Sequence, residues 1–363
     1  MRSLRISLSA ITVLLICIGV VMIYSASSIY SLDRYHDSLF FLKRHLVFIL
    51  IGLLSTFLVM SFDYHRLKKV SKPLLLFAIL LLVLVLIPGV GRQVGGARRW
   101  FRFGILSFQP SEFMNLAMII YLADFLSRKK EKLGDFWQGY VPPLIVMGLV
   151  ALLILMQPDL GSVIALSMTV FLMLFVAGVE VRYLAIALMC LIPLLYILIF
   201  SVPYRRARLM SFLNPWADPH GSGFQIIQSQ VALGSGKLFG LGLGHSKQKL
   251  FYLPAAHTDF IFSIIGEELG LLGTAAVAIL FILFLLKGFK ITRLTEDSFG
   301  YFLSLGIVLM IALKAMVNMG VSTGILPTKG LPLPFISYGG SSLVLDMMAV
   351  GLLLNISRFE DCP

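Results

Sequence analysis

Apolar runs of about twenty residues recur along the chain, broken by short polar or charged turns, and a run of that length crosses ~30 Å of hydrocarbon at helical rise. Backbone amides find no water in such a layer, so only helices or closed barrels can span it, and a barrel would show short alternating strands instead. The expected fold is therefore all-α: a polytopic integral membrane protein, a single membrane domain over residues 1–363. Its 58% hydrophobic residues exclude an ordinary soluble domain. About ten transmembrane helices are predicted, near 7–25, 46–62, 72–88, 110–127, 141–156, 162–178, 183–200, 260–286, 299–320 and 338–356. The first run follows Arg2 and Arg5 but is long for a cleaved leader, so it reads as a retained signal anchor. Pro158 and Gly161 break one long run into a helical hairpin. Cys17 and Cys190 lie in apolar runs and Cys362 is near the end, which gives neither a disulfide framework nor metal-ligand spacing.

The formal net charge of +12 points to anionic partners, with lipid as the default. Nucleic acid is disfavoured, because no basic residues cluster on a soluble module. An even number of spans puts both termini on one side. Of the 30 Lys and Arg, about half fall there, including Arg66, Lys68, Lys69, Arg128, Lys129, Lys130, Lys132, Lys287, Lys290 and Arg293. Basic clusters beside very short loops favour cytoplasmic termini. The other side holds Arg92, Arg98, Arg99 and Arg102 in one loop, and Arg205, Arg206, Arg208, Lys237, Lys247 and Lys249 in the extracytoplasmic loop of about 201–259. Contact with phospholipid headgroups accounts for these cations, and so does a phosphate site, since guanidinium forks match phosphate oxygens.

The longest polar stretch, Pro203 to Gly273, passes through Gln225, Gln228, Ser229 and a glycine-rich run before ending on His257-Thr258-Asp259. The glycine run Gly234–Gly244 is not a nucleotide loop, because Leu238 follows Lys237 where Ser or Thr is required. It reads instead as a flexible re-entrant or interfacial loop. Ionisable residues within spans are costly and usually functional; here they are Glu112, Asp124, Asp259, Glu267, Glu268, Lys314 and Asp346, with Asp159 and Lys329 near outer ends. Asp124 is expected to be solvated beside the inner basic cluster. Lys314 and Asp346 are expected to form an interhelical pair, and one of Glu267 and Glu268 to share a face with Asp259. Asp259 has two readings: a helix N-cap complementing the dipole, or a general base at the mouth of an apolar helix. The Pro- and Gly-rich loop 318–335 is expected beside the long one.

Several blocks together resemble the SEDS family of bacterial membrane glycosyltransferases. They are Tyr24-Ser25-Ala26-Ser27, Gly96-Ala97-Arg98-Arg99-Trp100, Gln109-Pro110-Ser111-Glu112-Phe113, Gln157-Pro158-Asp159-Leu160-Gly161-Ser162 and Asn214-Pro215-Trp216. Further on come His257-Thr258-Asp259-Phe260-Ile261-Phe262, Gly266-Glu267-Glu268-Leu269-Gly270 and Leu333-Pro334-Phe335-Ile336-Ser337-Tyr338-Gly339-Gly340-Ser341-Ser342. Pro327-Thr328-Lys329-Gly330 resembles the cell-division branch, with a sporulation-type relative as the alternative. The resemblance implies polymerisation of lipid II into β-1,4 glycan strands at the outer face of the cytoplasmic membrane, with Asp259 as the family's essential aspartate and general base. Arg44, Arg98, Arg99, Glu112, Asp159, Gln225, Gln228, Ser229, Lys249, His257, Thr258, Lys329 and Ser337 are the candidate substrate-binding residues. The implied partners are a class B penicillin-binding protein supplying the transpeptidase and other membrane proteins of the divisome. The chemistry admits a divalent cation (Mg or Mn) bridging the diphosphate and an acid, although no ligand signature is present. A lipid II flippase and a non-catalytic division scaffold are the rival functions. Two positions depart from the family pattern: Asn115 stands where a lysine is common, leaving Glu112 without a one-turn cation partner, and Ala255 stands where a glutamate is common.

Overall fold

The computed structural model describes residues 1–94, 96–104, 106–250, 252–254 and 256–359. Its helices are α1 (Arg2–Tyr35), α2 (Phe40–Ser61), α3 (His65–Leu86), α4 (Pro110–Arg128), α5 (Val141–Leu155), α6 (Leu160–Val176), α7 (Val181–Phe200), α8 (Pro203–Leu213), α9 (Phe224–Ser235), α10 (Ile261–Leu294), α11 (Ser298–Ser322) and α12 (Gly340–Phe359). Among the described residues, 8 helices are long and apolar enough to cross a membrane. The polytopic all-α class stands. Two of the ten expected spans are not in that set: α6 is apolar but shorter, and α4 carries Glu112, Asp124 and Arg128 along its length.

The bundle has a buried centre and a lipid-facing rim. The most apolar window of α12 is 89% buried and that of α11 is 72% buried, against 6% for α7, so α11 and α12 form the core and α7 lies at the edge. α12 packs along α2, where Thr56 Oγ1 donates to the Met347 carbonyl at 2.9 Å and Asn355 Nδ2 to the Val59 carbonyl at 2.7 Å. Side-chain donors serve well between apolar helices, because dispersion alone does not distinguish helix from lipid. Asp124 departs from the expectation of a solvated acid. It is buried in α4, takes both arms of Arg128 (2.8 and 2.9 Å) and accepts a hydrogen bond from Ser71 of α3 at 2.6 Å. A cation one turn away on its own helix makes that burial tolerable.

Two features of the loops were not expected from the sequence. Residues Arg92–Val94 (β1), Ala97–Phe103 (β2) and Leu106–Phe108 (β3) form a small antiparallel sheet in the order β1-β2-β3. Alternation along β2 sends Arg98 and Arg99 to opposite faces, and Arg99 shares its face with buried Ala97 and Phe101. The long loop, too, carries two helices, α8 and α9. It is fastened to a break in α10 at Gly270 (φ 68°, ψ −164°). There the glycine run supplies the backbone partners that a broken helix lacks. The N–H groups of Leu271 and Leu272 donate to the carbonyls of Lys237 and Leu238 at 2.8 and 3.2 Å, and those of Leu241 and Gly242 to Glu267 and Glu268 at 2.9 and 3.0 Å. The run is thus packed rather than free. Ala255, the second departure from the family pattern, lies outside the described residues.

The crossing requires glycine on both strands. A Cβ at Gly270 would lie 2.4 Å from the Gly240 nitrogen, and one at Gly240 would lie 2.1 Å from the Glu268 carbonyl oxygen, both at positive φ. Gly270→Ala is therefore expected to cost about 1–3 kcal/mol from backbone conformation alone, with overlap added, and to lower the melting temperature of the purified protein. An unchanged melting curve would show that the crossing contributes little.

Candidate active site

Asp259 lies just ahead of the first helical turn of α10. The cap position is Phe260, without a side-chain capping bond, and the Asp259 carboxylate accepts no hydrogen bond from a described residue, so the N-cap reading fails. Its backbone carbonyl is fixed instead: Asn318 Nδ2 of α11 donates to it at 2.8 Å and to the Leu331 carbonyl at 2.7 Å. The loop 323–339 closes over the acid so tightly that a Cβ on Gly330 would lie 2.5 Å from Asp259 Oδ2. The loop pair expected to be adjacent is adjacent. Burial pushes the Asp259 carboxyl up to about 6, with the charge of Arg208 opposing and that of Asp159 adding.

Cationic groups converge from three separate elements. Arg208 on α8 donates to the Thr328 carbonyl at 3.3 Å and stacks over Tyr204. Arg99 on β2 donates to the carbonyls of Gln157 (2.7 Å) and Pro158 and lies 4.0 Å from Asp159. Asp159 caps α6, accepting from Ser162 N at 3.1 Å and Ser162 Oγ at 2.9 Å. Lys329 lies against Gly161 at the same helix start. Its Nζ is buried without a hydrogen-bond partner. Burial pulls that ammonium down to about 8, and the charges of Asp159 and Glu112 pull the other way. A buried, unpaired ammonium is an unsatisfied donor of three hydrogen bonds. Beside these, a cleft of about 300 Å³ runs between the end of α7 and α8, lined by Phe200, Ser201, Pro203, Arg206, Ala207 and Met210.

His257, two residues before Asp259, sits in an aromatic group with Phe41 (4.6 Å between ring centres), Tyr30 (5.7 Å) and Tyr338 (5.9 Å). Burial lowers its pKa to about 4, so the ring is neutral near pH 7. Arg44 lies over the Phe40 ring at 4.5 Å, and its charge acts on the Tyr338 hydroxyl. Ser337 joins the two walls, donating to the Thr258 carbonyl while accepting from Leu333 N at 2.9 Å. The turn it belongs to holds Phe335 at φ 65°, a strained conformation for an aromatic residue.

Other sequence candidates are placed differently. Lys249 is committed to a buried ion pair with Glu268 at 2.8 Å, and Ser25 donates to the same carboxylate at 2.7 Å. Glu267 accepts from Ser246 Oγ, from Lys247 N at 2.8 Å and from Gln248 N at 3.3 Å. Both acids thus bind the descending arm of the long loop, and neither is turned to Asp259. Ser229 is buried against Ser263 (2.6 Å) and the Ser322 carbonyl (2.7 Å), a packing role. Gln225 and Gln228 are half-buried on α9, and Arg98 is half-buried on the outer face of β2. Lys314 pairs with Asp346 as expected, at 2.9 Å, and also with Glu112, at 2.6 Å. The cation that Glu112 lacks on its own helix arrives from α11. Sequence reasoning passed over Arg208 and Asn318 as individual site residues; proximity in space, not spacing, brings them to Asp259. Among the described residues no three His, Cys, Asp or Glu side chains gather as metal ligands.

Fold and site together define a polytopic helical membrane protein with a half-buried acid and an unpaired ammonium at one end of the bundle. The chain belongs to the FtsW/RodA/SpoVE family of cell cycle proteins, whose model matches residues 5–361. It is 47% identical over 352 residues, covering 97% of this chain and 94% of the relative, to a probable peptidoglycan glycosyltransferase FtsW of Geobacter metallireducens. It is 48% identical over 350 residues, 96% of both chains, to stage V sporulation protein E of Bacillus subtilis. Among solved structures, it superposes with a TM-score of 0.79 at 30% identity on a chain described under structural coordination of polymerization and crosslinking by a peptidoglycan synthase complex, covering 100% of this chain and 99% of that one. The rod shape determining protein RodA of Thermus thermophilus gives a TM-score of 0.71 at 30% identity over 97% of this chain and 95% of that one.

The clamp between loop and half-helix can be tested through its buried pair. Glu268→Gln leaves the Lys249 ammonium buried without a countercharge, at a cost of about 3–5 kcal/mol. The melting temperature of the purified protein should fall, and Glu268→Gln with Lys249→Met should recover part of it.

Proposed function

We propose that this protein polymerises lipid II into β-1,4 glycan strands for septal peptidoglycan, at the outer face of the cytoplasmic membrane. The observation that carries this is Asp259: a carboxylate that accepts no hydrogen bond from a described residue, its backbone held by Asn318, with the charge of Arg208 acting on it and the unpaired Lys329 next to Gly330 in the loop that closes over it. A general base needs an available lone pair and a pKa near working pH. In the reaction, Asp259 takes the proton from the acceptor sugar hydroxyl as that oxygen bonds to the donor's anomeric carbon. The bond from that carbon to undecaprenyl pyrophosphate breaks, and configuration inverts. Charge accumulates on the departing diphosphate, where Arg208 and Lys329 would stabilise it, with Arg98, Arg99 and Arg44 as further cations from β2 and α2. The cleft lined by Arg206 offers one cation among apolar walls, which suits a lipid-linked anion. No step is routed through a metal ion.

The charge distribution supports an outward site with cytoplasmic termini. The Asp259 end of α10 is opposite Lys287, Lys290 and Arg293, and the Glu112 end of α4 is opposite Arg128, Lys129, Lys130 and Lys132, as the preference of basic residues for the cytoplasmic side requires. A transporter would concentrate its polar groups near the midplane, whereas Glu112, Asp159, Asp259 and Lys329 all lie at helix ends or in loops at one end of the bundle. The partner chemistry that fits is a single-span class B penicillin-binding protein within the divisome. The solved synthase complex that the chain resembles supports that reading.

Asp259→Asn, purified with the transpeptidase partner and given labelled lipid II, should lose glycan polymer by about 10²–10⁴-fold. Normal polymer from that variant would overturn the general-base role, and lipid movement across liposomes without polymer would favour the flippase. The pH dependence has a defined sign. The base works deprotonated, so rate should rise as pH passes about 6. The diphosphate contact works with Lys329 protonated, so rate should fall above about 8. Lys329→Arg should carry the alkaline limb upward, read from polymer rates across pH.

A further inference from the structure

A charged cluster at the outward ends of α4, α11 and α12 is not used by the proton transfer. Lys314 Nζ donates to Glu112 Oε2 at 2.6 Å and to Asp346 Oδ1 at 2.9 Å, and the side-chain exposure of all three is 3% or less. The Ser342 hydroxyl lies 3.5 Å from Glu112 and 3.4 Å from Asp346. Two carboxylates buried together repel, and each is costly to desolvate, so the arrangement depends on the ammonium between them.

Asn115 lies one turn after Glu112 on the same face of α4. It is buried, and its Oδ1 has no hydrogen-bond partner. With Lys314 it lines a cavity of about 10 Å³, room for roughly one water-sized group. A small void thus adjoins the cluster on the α4 side, at the position from which a second residue could reach Glu112. The link to the acid runs along α11. Asn318, one turn after Lys314, holds the Asp259 and Leu331 carbonyls, and the charge of Glu112 acts on Lys329.

We propose that Lys314 is a positioning residue for the outward site, pinning the first turn of α4 to α11 and α12, and that position 115 is a second seat from which the same cation could act. Lys314 and Asn318 then use one face of α11 for two jobs: the lysine fixes the helix to its neighbours, and the asparagine transmits that position to the segment bearing Asp259. Moving the lysine to α4 roughly conserves side-chain volume around the cavity. This inference rests on the polymerase reading for its activity readout only.

The test compares Lys314→Gln with Lys314→Gln/Asn115→Lys in the full chain purified with its transpeptidase partner, scoring labelled lipid II polymer, folded yield and melting temperature. Lys314→Gln should slow polymerisation on the order of tenfold or more, because small displacements of a reacting group are costly, and should lower the melting temperature. The double variant should regain whichever of the three properties the single one loses. An unimpaired Lys314→Gln protein, or a double variant no better than the single in any property, overturns the proposal. If Lys314→Gln does not fold, recovery of folded protein by Asn115→Lys is the supporting result and its absence the overturning one. Should the unsubstituted protein form no polymer, the functional reading falls, while yield and melting temperature still decide the exchange.

Discussion

The candidate site depends on a backbone constraint at Gly270. Within a bilayer every amide needs an internal partner, so a helix can break there only where other backbone meets it. The glycine run 236–244 does this, laying its own N–H and carbonyl groups across the break. Glu267 and Glu268 add the second fastening by binding Ser246, Lys247, Gln248, Lys249 and Ser25. The short piece Ile261–Leu269 is thereby isolated from the long span below it and fixed at its inner end, and Asp259 leads into its outer end. The acid owes its position to this segment more than to the helix as a whole.

Around that fixed piece the charges divide by role. Where acid and base are both buried and paired, as in Glu268–Lys249 and Lys314 with its two carboxylates, they hold helices and loops together, and buried Asp124 is held in the same way by an exposed Arg128. Where a charged group has no hydrogen-bond partner among the described residues, as at Asp259 and Lys329, it lies where the loop 323–339 meets the starts of α6 and α10. An unpaired buried charge is a stability liability, and its persistence at two neighbouring positions is what a site for proton transfer and diphosphate recognition calls for. Arg99 and Arg208 complete the surroundings from a strand and a loop helix that approach from opposite sides.

Much of this was legible without coordinates. Run length gave the all-α class, the motif set gave the family, and the pairing of Lys314 with Asp346 followed from the cost of charges in spans. The small sheet was not: glycines at 96 and 104 bound the Ala97–Phe103 segment, but its apolar and polar residues do not alternate and the rest of the chain reads as helical. Other features carried no local signal. Asp124 looked solvated because it adjoins a basic cluster, yet Ser71 and Arg128 enclose it. Lys249 looked like a free outer cation until the fold brought it to Glu268. Glu112 appeared to lack a cation because sequence spacing tests only its own helix, whereas Lys314 comes from another.

The sequence by itself determined that the chain lives in a membrane, which family it belongs to and which aspartate to test. Those conclusions follow from local quantities: hydrophobic run length, and residue types at short spacing. Tertiary structure alone decided which charges are spent on holding the bundle and which remain for chemistry. Pairing depends on distances between segments far apart in the chain, 243 residues for Ser25 and Glu268, and no local pattern encodes those distances.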